Sequence, residues 1–198
     1  MNYLVHLYLA EPTPESLLGN LMGDFVKGRL GPEWSAALRR GIELHRSVDR
    51  FAHDHPLYSR SKSRLSPVFG HYRGILVDVF YDHFLARNWE RHHPLPLPEF
   101  ARRVYRLLEK HHALLPPGLQ TVAPRMIAGD WLVSYREVAT VGLALERMSA
   151  RLRRPNPLAA GGAELVRHYA GLEEDCDRFL AAAKLFAGEW CRGKGTEW

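Results

Sequence analysis

The stretch that decides the fold is SAALRRGIELHRSVDRFAH, residues 35–53. Leu38, Ile42, His45 and Asp49 recur along it at spacings of three or four residues, which is typical of a helix with one buried face. Comparable periods occupy residues 74–89 and 98–111, and the longest one runs through residues 165–186. We therefore predict an all-α protein, an orthogonal or bundle-like domain of about seven helices.

Prolines and glycines divide these helical segments. They cluster in residues 94–98, 116–118 and 155–162, where we expect breaks. Residues 124–136 and 138–152 are predicted to be two further helices. The opening YLVHLYL, residues 3–9, fits either a strand or a buried first helical turn. We expect a single domain over residues 1–190 and a flexible tail over residues 191–198.

The composition is that of a globular protein with a substantial core, since 46% of the residues are hydrophobic and 11% are aromatic. Cys176 and Cys191 are typical of free cytoplasmic thiols rather than of a disulfide framework. No apolar run reaches the roughly 18 residues needed to span a membrane. The apolar start has no basic segment and is a poor signal peptide. We predict a cytoplasmic protein without a membrane partner.

Basic residues are unevenly placed in this chain, whose formal net charge is +5. The segment 55–77 contains no acidic residue, and a second basic cluster follows at Arg151, Arg153 and Arg154. Either run could be a solvated face or a surface for an acidic partner. A nucleic-acid partner is not expected, because the aromatic and basic interleaving of a single-strand binder and a recognition-helix motif are both missing. The basic residues of the first segment are Arg60, Lys62, Arg64 and Arg73.

Histidine and aspartate are concentrated before residue 113, where ten of the eleven histidines and five of the eight aspartates lie. His45 and Asp49 are four residues apart, so a helix places both on one face. Asp78 and Asp82 repeat this spacing, and His83 points about 100° away from Asp82. Imidazole and carboxylate together suit Mn²⁺, Mg²⁺, Fe²⁺ or Zn²⁺, and such a metal can activate water and polarise a phosphoryl oxygen.

Each of these residues also has an ordinary structural interpretation, as a helix ion pair or a solvated side chain. Asp78 and Asp82 lie among apolar residues, however, where an unpaired carboxylate is costly to bury. His6 lies in an apolar run and could be either a core histidine or a site residue. We expect all of these residues to lie in one cleft. The predicted metal ligands are Asp24, His45, Asp82, His83 and Asp78, and the predicted catalytic residues are Asp24, His45, Asp49 and His6. Asn20 and Arg46 are predicted to face the substrate.

The segment GNLMGDFVKG, residues 19–28, is the other distinctive element. Closely spaced glycines allow backbone to approach a ligand, and Asp24 lies among apolar residues within the segment. The spacing is not that of a phosphate-binding loop. The chain also lacks the Gly-x-Ser-x-Gly signature of a nucleophilic triad.

Together, these motifs resemble the bacterial acyl carrier protein phosphodiesterase family. The resemblance extends in order to about residue 190 and is most specific over the first 90 residues. Such enzymes look like distant relatives of the helical His-Asp (HD) phosphohydrolases. The segments that carry it are MNYLVHLYLA (1–10), GNLMGDFVKG (19–28), GIELHRSVD (41–49), DHFLA (82–86) and WLVSYR (131–136).

The resemblance implies an HD-like fold and hydrolysis, dependent on Mn²⁺ or Mg²⁺, of the phosphodiester that joins 4′-phosphopantetheine to a serine of holo acyl carrier protein. It also implies a role in fatty acid biosynthesis. We expect Mn²⁺, with Mg²⁺ or Fe²⁺ as alternatives. Carrier proteins are acidic, so the basic segment with Arg60, Lys62, Arg64 and Arg73 is a candidate docking surface. The alternative is an HD-type phosphohydrolase acting on a nucleotide or another small phosphoester.

Overall fold

The computed structural model describes residues 1–193, and these contain eleven α-helices and no strand. Four short 3₁₀ segments, Pro67–Tyr72, Trp89–Arg91, His112–Leu114 and Leu158–Ala160, connect some of them. The helices are α1 (Tyr3–Leu9), α2 (Pro14–Met22), α3 (Ala36–Asp54), α4 (Pro56–Arg64), α5 (Arg73–Arg87), α6 (Leu97–Lys110), α7 (Pro117–Ala128), α8 (Trp131–Ser134), α9 (Val138–Arg151), α10 (Gly162–Arg167) and α11 (Tyr169–Gly193).

The all-α prediction is confirmed, but the predicted number of about seven helices is wrong. Short helices account for the difference. The opening segment is helical rather than extended, and the predicted helix over residues 124–136 is divided. Pro124 lies inside α7, and Asp130 adopts a left-handed conformation with φ of 43° between α7 and α8. The last helix continues through Gly193, so the remainder of the predicted tail lies outside the described residues.

Helices α2 and α3 pack with their backbones in close contact. A Cβ atom on Gly19 would lie 2.7 Å from the carbonyl oxygen of Leu38 and 2.8 Å from the Cα of Gly41. Only glycine at this crossing permits so short a distance between two helices. At its start α3 is capped by Ser35, whose hydroxyl accepts a hydrogen bond from the Leu38 amide at 3.2 Å. This packing brings the end of α2 against the middle of α3.

Helices α1 and α5 form the centre of the core. Phe80, Tyr81 and Trp89 are fully buried around α5. The carboxylate of Asp82 on α5 accepts hydrogen bonds from the backbone amides of Leu4 and Val5, each at 2.9 Å. First-turn amides have no partner within their own helix, so Asp82 fixes the start of α1 against α5. Within residues 1–193, no helix has the length and hydropathy needed to cross a membrane.

Candidate metal centre

Four ionisable side chains from three parts of the fold meet in one cluster. His6 comes from α1, His45 and Asp49 from α3, and Asp24 from the turn after α2. The two imidazole rings stack with centroids 3.7 Å apart and planes 16° apart. The Nε2 atoms of His6 and His45 lie 3.2 Å from the two carboxylate oxygens of Asp49, one on each. Asp24 approaches the Nε2 of His45 to 3.5 Å.

The orientation of His45 is fixed from α2. Its Nδ1 donates a hydrogen bond to the backbone carbonyl of Asn20 at 2.8 Å. The ring also lies against Gly23, where an added Cβ would be only 2.1 Å from it. Because Nδ1 is the donor, the Nε2 atom is the one that faces the carboxylates. Asn20 therefore contributes its backbone to the site, while its side-chain amide donates to the carbonyl of Ser16 at 2.9 Å.

The environment shifts the pKa values of the two histidines in opposite directions. Burial and the nearby His45 lower the pKa of His6 from 6.5 to about 3, which keeps it neutral. Burial also opposes the charged form of His45, but contacts with Asp24 and Asp49 outweigh it and raise the pKa of His45 to about 9. In this state His45 carries the additional proton and neutral His6 presents one unprotonated ring nitrogen.

Asp49 is the acidic centre of the cluster. Although burial acts to raise its pKa, contacts with His45, His6 and the amino group of Met1 hold the pKa of Asp49 well below its usual range. The Met1 amino group donates to Asp49 at 2.7 Å and lies 3.6 Å from a carboxylate oxygen of Asp78. Asp24 is half exposed, and its pKa is lowered by His45 against the effect of burial. Both Asp24 and Asp49 are thus ionised at neutral pH.

Asp78 lies beside this cluster and has a hydrogen-bond partner of its own. The hydroxyl of Tyr58 donates to its Oδ1 at 2.7 Å. Burial is the main reason that the pKa of Asp78 is raised. Tyr58 gave no sequence signal for this contact. Asp78, predicted to be a metal ligand, therefore borders the centre and is less available to a ligand than Asp49.

The donor set fits a divalent cation. One ligand atom each from His6, His45 and Asp49 lies within 4.8 Å of the others. Both ring nitrogens of His6 are buried without a hydrogen-bond partner, since its approach to Asp49 lacks hydrogen-bond alignment. Unpaired buried nitrogen atoms are costly unless a ligand satisfies them. Two imidazoles and a carboxylate, with Asp24 adjacent, suit manganese, magnesium, iron or zinc.

Two predicted metal ligands point elsewhere. Asp82 is fully buried, and its oxygens are occupied by the amides of Leu4 and Val5. His83 faces away from the cluster, because adjacent helical residues differ by about 100° in direction. Its Nδ1 donates to the carbonyl of Tyr135 at 2.8 Å, and its Nε2 lies 3.0 Å from the hydroxyl of Tyr169. The structure therefore does not bring Asp82 and His83 to the metal centre as predicted.

Arg46 is next to His45 in sequence, but its side chain binds the loop that follows Asp24. Its guanidinium donates to the carbonyls of Val26 at 2.8 Å and Gly28 at 2.9 Å. Gly28 has a positive φ of 75°, a conformation that favours glycine. Arg46 was predicted to face substrate, and in the structure it holds the Asp24 turn against α3.

The basic residues of the segment are largely engaged in contacts with the rest of the protein. Arg60 and Arg64 both pair with the fully buried carboxylate of Asp175, which also accepts a hydrogen bond from Ser61 at 3.0 Å. Arg73 donates to the carbonyl of Gly70 at 3.2 Å and lies 3.5 Å from that of Lys62. The ammonium of Lys62 lies 4.9 Å from the ring centre of Tyr58. The predicted docking surface is therefore mainly an internal ion-pair network, because Asp175 arrives from the distant helix α11.

Comparison with known proteins identifies relatives over most of the chain. The family described as acyl carrier protein phosphodiesterase matches residues 1–183. The protein named acyl carrier protein phosphodiesterase from Serratia proteamaculans is 37% identical over 174 residues, which cover 87% of this chain and 90% of that protein. Proteins of the same name from Photorhabdus laumondii and Yersinia enterocolitica are 33% and 34% identical, covering 87% and 88% of this chain and 88% and 91% of their own lengths. No solved structure matches.

Proposed function

Because the chain belongs to the acyl carrier protein phosphodiesterase family, a family of phosphoric diester hydrolases, we propose that it hydrolyses the phosphodiester between 4′-phosphopantetheine and a serine of holo acyl carrier protein. The products are apo carrier protein and 4′-phosphopantetheine. The observation that carries this proposal is the convergence of His6, His45 and Asp49, with their donor atoms within 4.8 Å.

His6, His45 and Asp49 would hold a divalent cation, with Asp24 as a further oxygen donor or as the proton acceptor beside it. When bound, a cation of this kind neutralises charge on the phosphoryl oxygens and activates water. Manganese is our first choice, with magnesium and iron as alternatives. Mixed histidine and carboxylate donors accommodate all three. The Asn20 carbonyl keeps Nδ1 of His45 protonated, so Nε2 is the atom left to bind.

The protein's own groups also account for the proton transfers. Asp24 is the more exposed carboxylate of the cluster and is kept ionised by His45, so its oxygens can accept the proton of an attacking water. Attack at phosphorus breaks the bond to the serine oxygen, which leaves with the proton that Asp24 has accepted, while the water oxygen stays on the phosphate of 4′-phosphopantetheine. Asp49 holds His6 and His45 in position during this exchange.

The arginines at the end of α9 are a second support for a carrier-protein substrate. Within residues 1–193, none of them has an ion-pair partner, and all four are exposed. Exposed cations of this kind attract an acidic protein and increase the rate of encounter. We place the docking surface here rather than on residues 60–73. The four residues are Arg147, Arg151, Arg153 and Arg154.

The experiment is the incubation of chelator-treated protein with holo carrier protein in ¹⁸O-water, with and without added Mn²⁺, followed by mass spectrometry of both products. We expect the carrier protein to lose one phosphopantetheine group when Mn²⁺ is present, and ¹⁸O to appear in the phosphate of 4′-phosphopantetheine. Full activity in the presence of chelator would show that hydrolysis does not need a metal. Hydrolysis of a nucleotide without any change in the carrier protein would favour a small-molecule phosphohydrolase.

A further inference from the structure

A half-enclosed cavity of about 280 Å³ lies between helices α8 and α9, beside the N-terminal helix. Its walls are mostly aromatic and aliphatic, and two arginines stand at its edge. Leu143 is 50% exposed within this lining. The residues that define the cavity are Tyr3, Trp131, Tyr135, Leu143, Arg147 and Arg151.

The cavity adjoins the metal centre through α1. Tyr3 lines the cavity and His6 belongs to the centre, and the two are three residues apart on the same helix. Residues at this spacing lie on one face, with Cβ atoms roughly 5–6 Å apart. Burial, with the charge of Asp24, raises the pKa of Tyr3 to about 12 against the effect of Arg151. One helical turn therefore separates the cavity from the centre.

We propose that this cavity binds the pantetheine arm of the substrate, an inference that rests on the proposed function. A phosphodiester held at the centre carries two substituents. One is a serine on a folded carrier protein, which is too bulky to enter a cavity of this size. The other is a slender chain that can enter, with dimethyl and methylene groups that suit Trp131, Tyr135 and Leu143 and with two amides that suit hydroxyl and guanidinium groups at the edge.

This arrangement also explains why the unpaired arginines lie where they do. Arg147 and Arg151 border the cavity, and Arg153 and Arg154 continue away from it at the end of α9. With the arm inside the cavity, the acidic carrier protein remains outside, against these cations. The arm and the protein surface are thereby recognised by α9 and by the bend that directly follows it.

The test measures binding of pantetheine, which has no phosphate, to chelator-treated protein by isothermal titration calorimetry. Ala144→Phe fills the cavity from α9, and Ala139→Phe makes the same change at an exposed position of α9 outside the lining. We expect wild type and Ala139→Phe to bind alike and Ala144→Phe to bind at least about tenfold more weakly. Thr140→Phe, on the same wall, replaces Ala144→Phe if thermal unfolding shows that the latter does not fold.

Three results would overturn the proposal. One is equal binding by wild type and the folded cavity variants, and another is no binding of pantetheine or 4′-phosphopantetheine to wild type at millimolar concentrations. Binding of adenosine monophosphate in place of pantetheine, abolished by the same variants, would also overturn it. An Asp49→Asn variant separates this inference from the proposed function, because it should keep pantetheine binding while losing turnover. Cavity-dependent binding without hydrolysis of holo carrier protein would refute only the proposed function.

Discussion

Helix α3 carries the pair His45 and Asp49, and helix α5 carries the pair Asp78 and Asp82, each four positions apart. The two pairs make different kinds of contact. His45 and Asp49 on α3 meet His6 and Asp24 in a cluster whose donor atoms are incompletely satisfied. Asp78 and Asp82 on α5 are satisfied by a tyrosine hydroxyl and by two backbone amides. Spacing predicts that two side chains share a helix face, whereas the neighbouring element decides whether that face binds a ligand or supports the fold.

The α5 pair still serves the centre indirectly. Asp82 fixes the start of α1, and α1 carries His6 into the cluster. The α3 pair acts at the site itself, through atoms that approach His6 and Asp24 directly. Substitutions in the two pairs should therefore affect different measured quantities, turnover for α3 and stability for α5.

The largest expected effect is on turnover, from Asp49→Asn. Loss of the negative charge removes the partner of both histidines and a proposed metal ligand, so we expect kcat/KM for holo carrier protein to fall by about 10³-fold. Asp54→Asn makes the same change at an exposed position of the same helix and should keep full activity. The rate of carrier-protein mass loss measures both variants. Similar rates for the two would show that Asp49 is not part of the reacting site.

A second effect is the pH dependence of stability in the metal-free protein. The folded state raises the pKa of His45 from 6.5 to about 9, so it keeps a proton that the unfolded chain releases. This contribution is fully present below pH 6.5 and is lost as the pH rises through 9. Relative to His45→Asn, wild type should lose at most about 3 kcal/mol over this range, because a tenfold change in proton affinity is about 1.4 kcal/mol.

Urea unfolding of both proteins at several pH values measures this difference. Saturating Mn²⁺ should abolish it, since a metal displaces the proton from His45 Nε2. A constant difference between wild type and His45→Asn from pH 6 to pH 9 would contradict the ion-pair geometry. It would mean that Asp24 and Asp49 do not hold the proton on His45.

Asp82→Asn tests the other helix. The amide retains one acceptor but places its NH₂ group against an amide of α1, so we expect the free energy of unfolding to fall by about 1–3 kcal/mol. Turnover per folded molecule should change much less than in Asp49→Asn. Denaturant unfolding and the carrier-protein assay give the two values. A large loss of turnover in a fully folded protein would show that Asp82 belongs to the reacting site, as the sequence analysis predicted.

Much of the fold follows from the sequence. The periods in residues 35–53 and 74–89 correspond to α3 (Ala36–Asp54) and α5 (Arg73–Arg87), because a buried stripe strongly specifies a helix. The division between α7 and α8 was missed, since it depends on the left-handed Asp130, and proline inside α7 suggested a helix start instead. Short helices bury too few residues to leave a clear period.

The site was only partly predictable for a related reason. Local spacing identified His45 with Asp49, and the apolar setting of His6 and Asp24 marked both as candidates. Which way His83 and Asp82 face depends on helix α1 and on residues 135 and 169, which are distant in sequence. The close glycines were expected to approach a ligand, and Gly23 instead makes room for the ring of His45. Long-range pairing likewise removed Arg60 and Arg64 from the predicted docking surface.

The smallest expected effect concerns docking. Arg153→Glu with Arg154→Glu should raise KM for holo carrier protein by about three- to tenfold at low salt and leave kcat nearly unchanged, since exposed charges act mainly on encounter. The difference should shrink with added salt, because the Debye length is about 8 Å at physiological ionic strength. Lys62→Glu, in the other basic region, is the matched control. A larger effect from Lys62→Glu would restore the docking surface to residues 60–73.

The most direct test of the difference between α3 and α5 is a Mn²⁺ titration followed by electron paramagnetic resonance, in which bound Mn²⁺ loses the signal of the free ion. Wild type and folded Asp82→Asn should each bind Mn²⁺ with similar affinity, and Asp49→Asn should bind at least about tenfold more weakly. Unchanged binding by Asp49→Asn, or loss of binding by a folded Asp82→Asn, would contradict the assignment of the metal centre to α3.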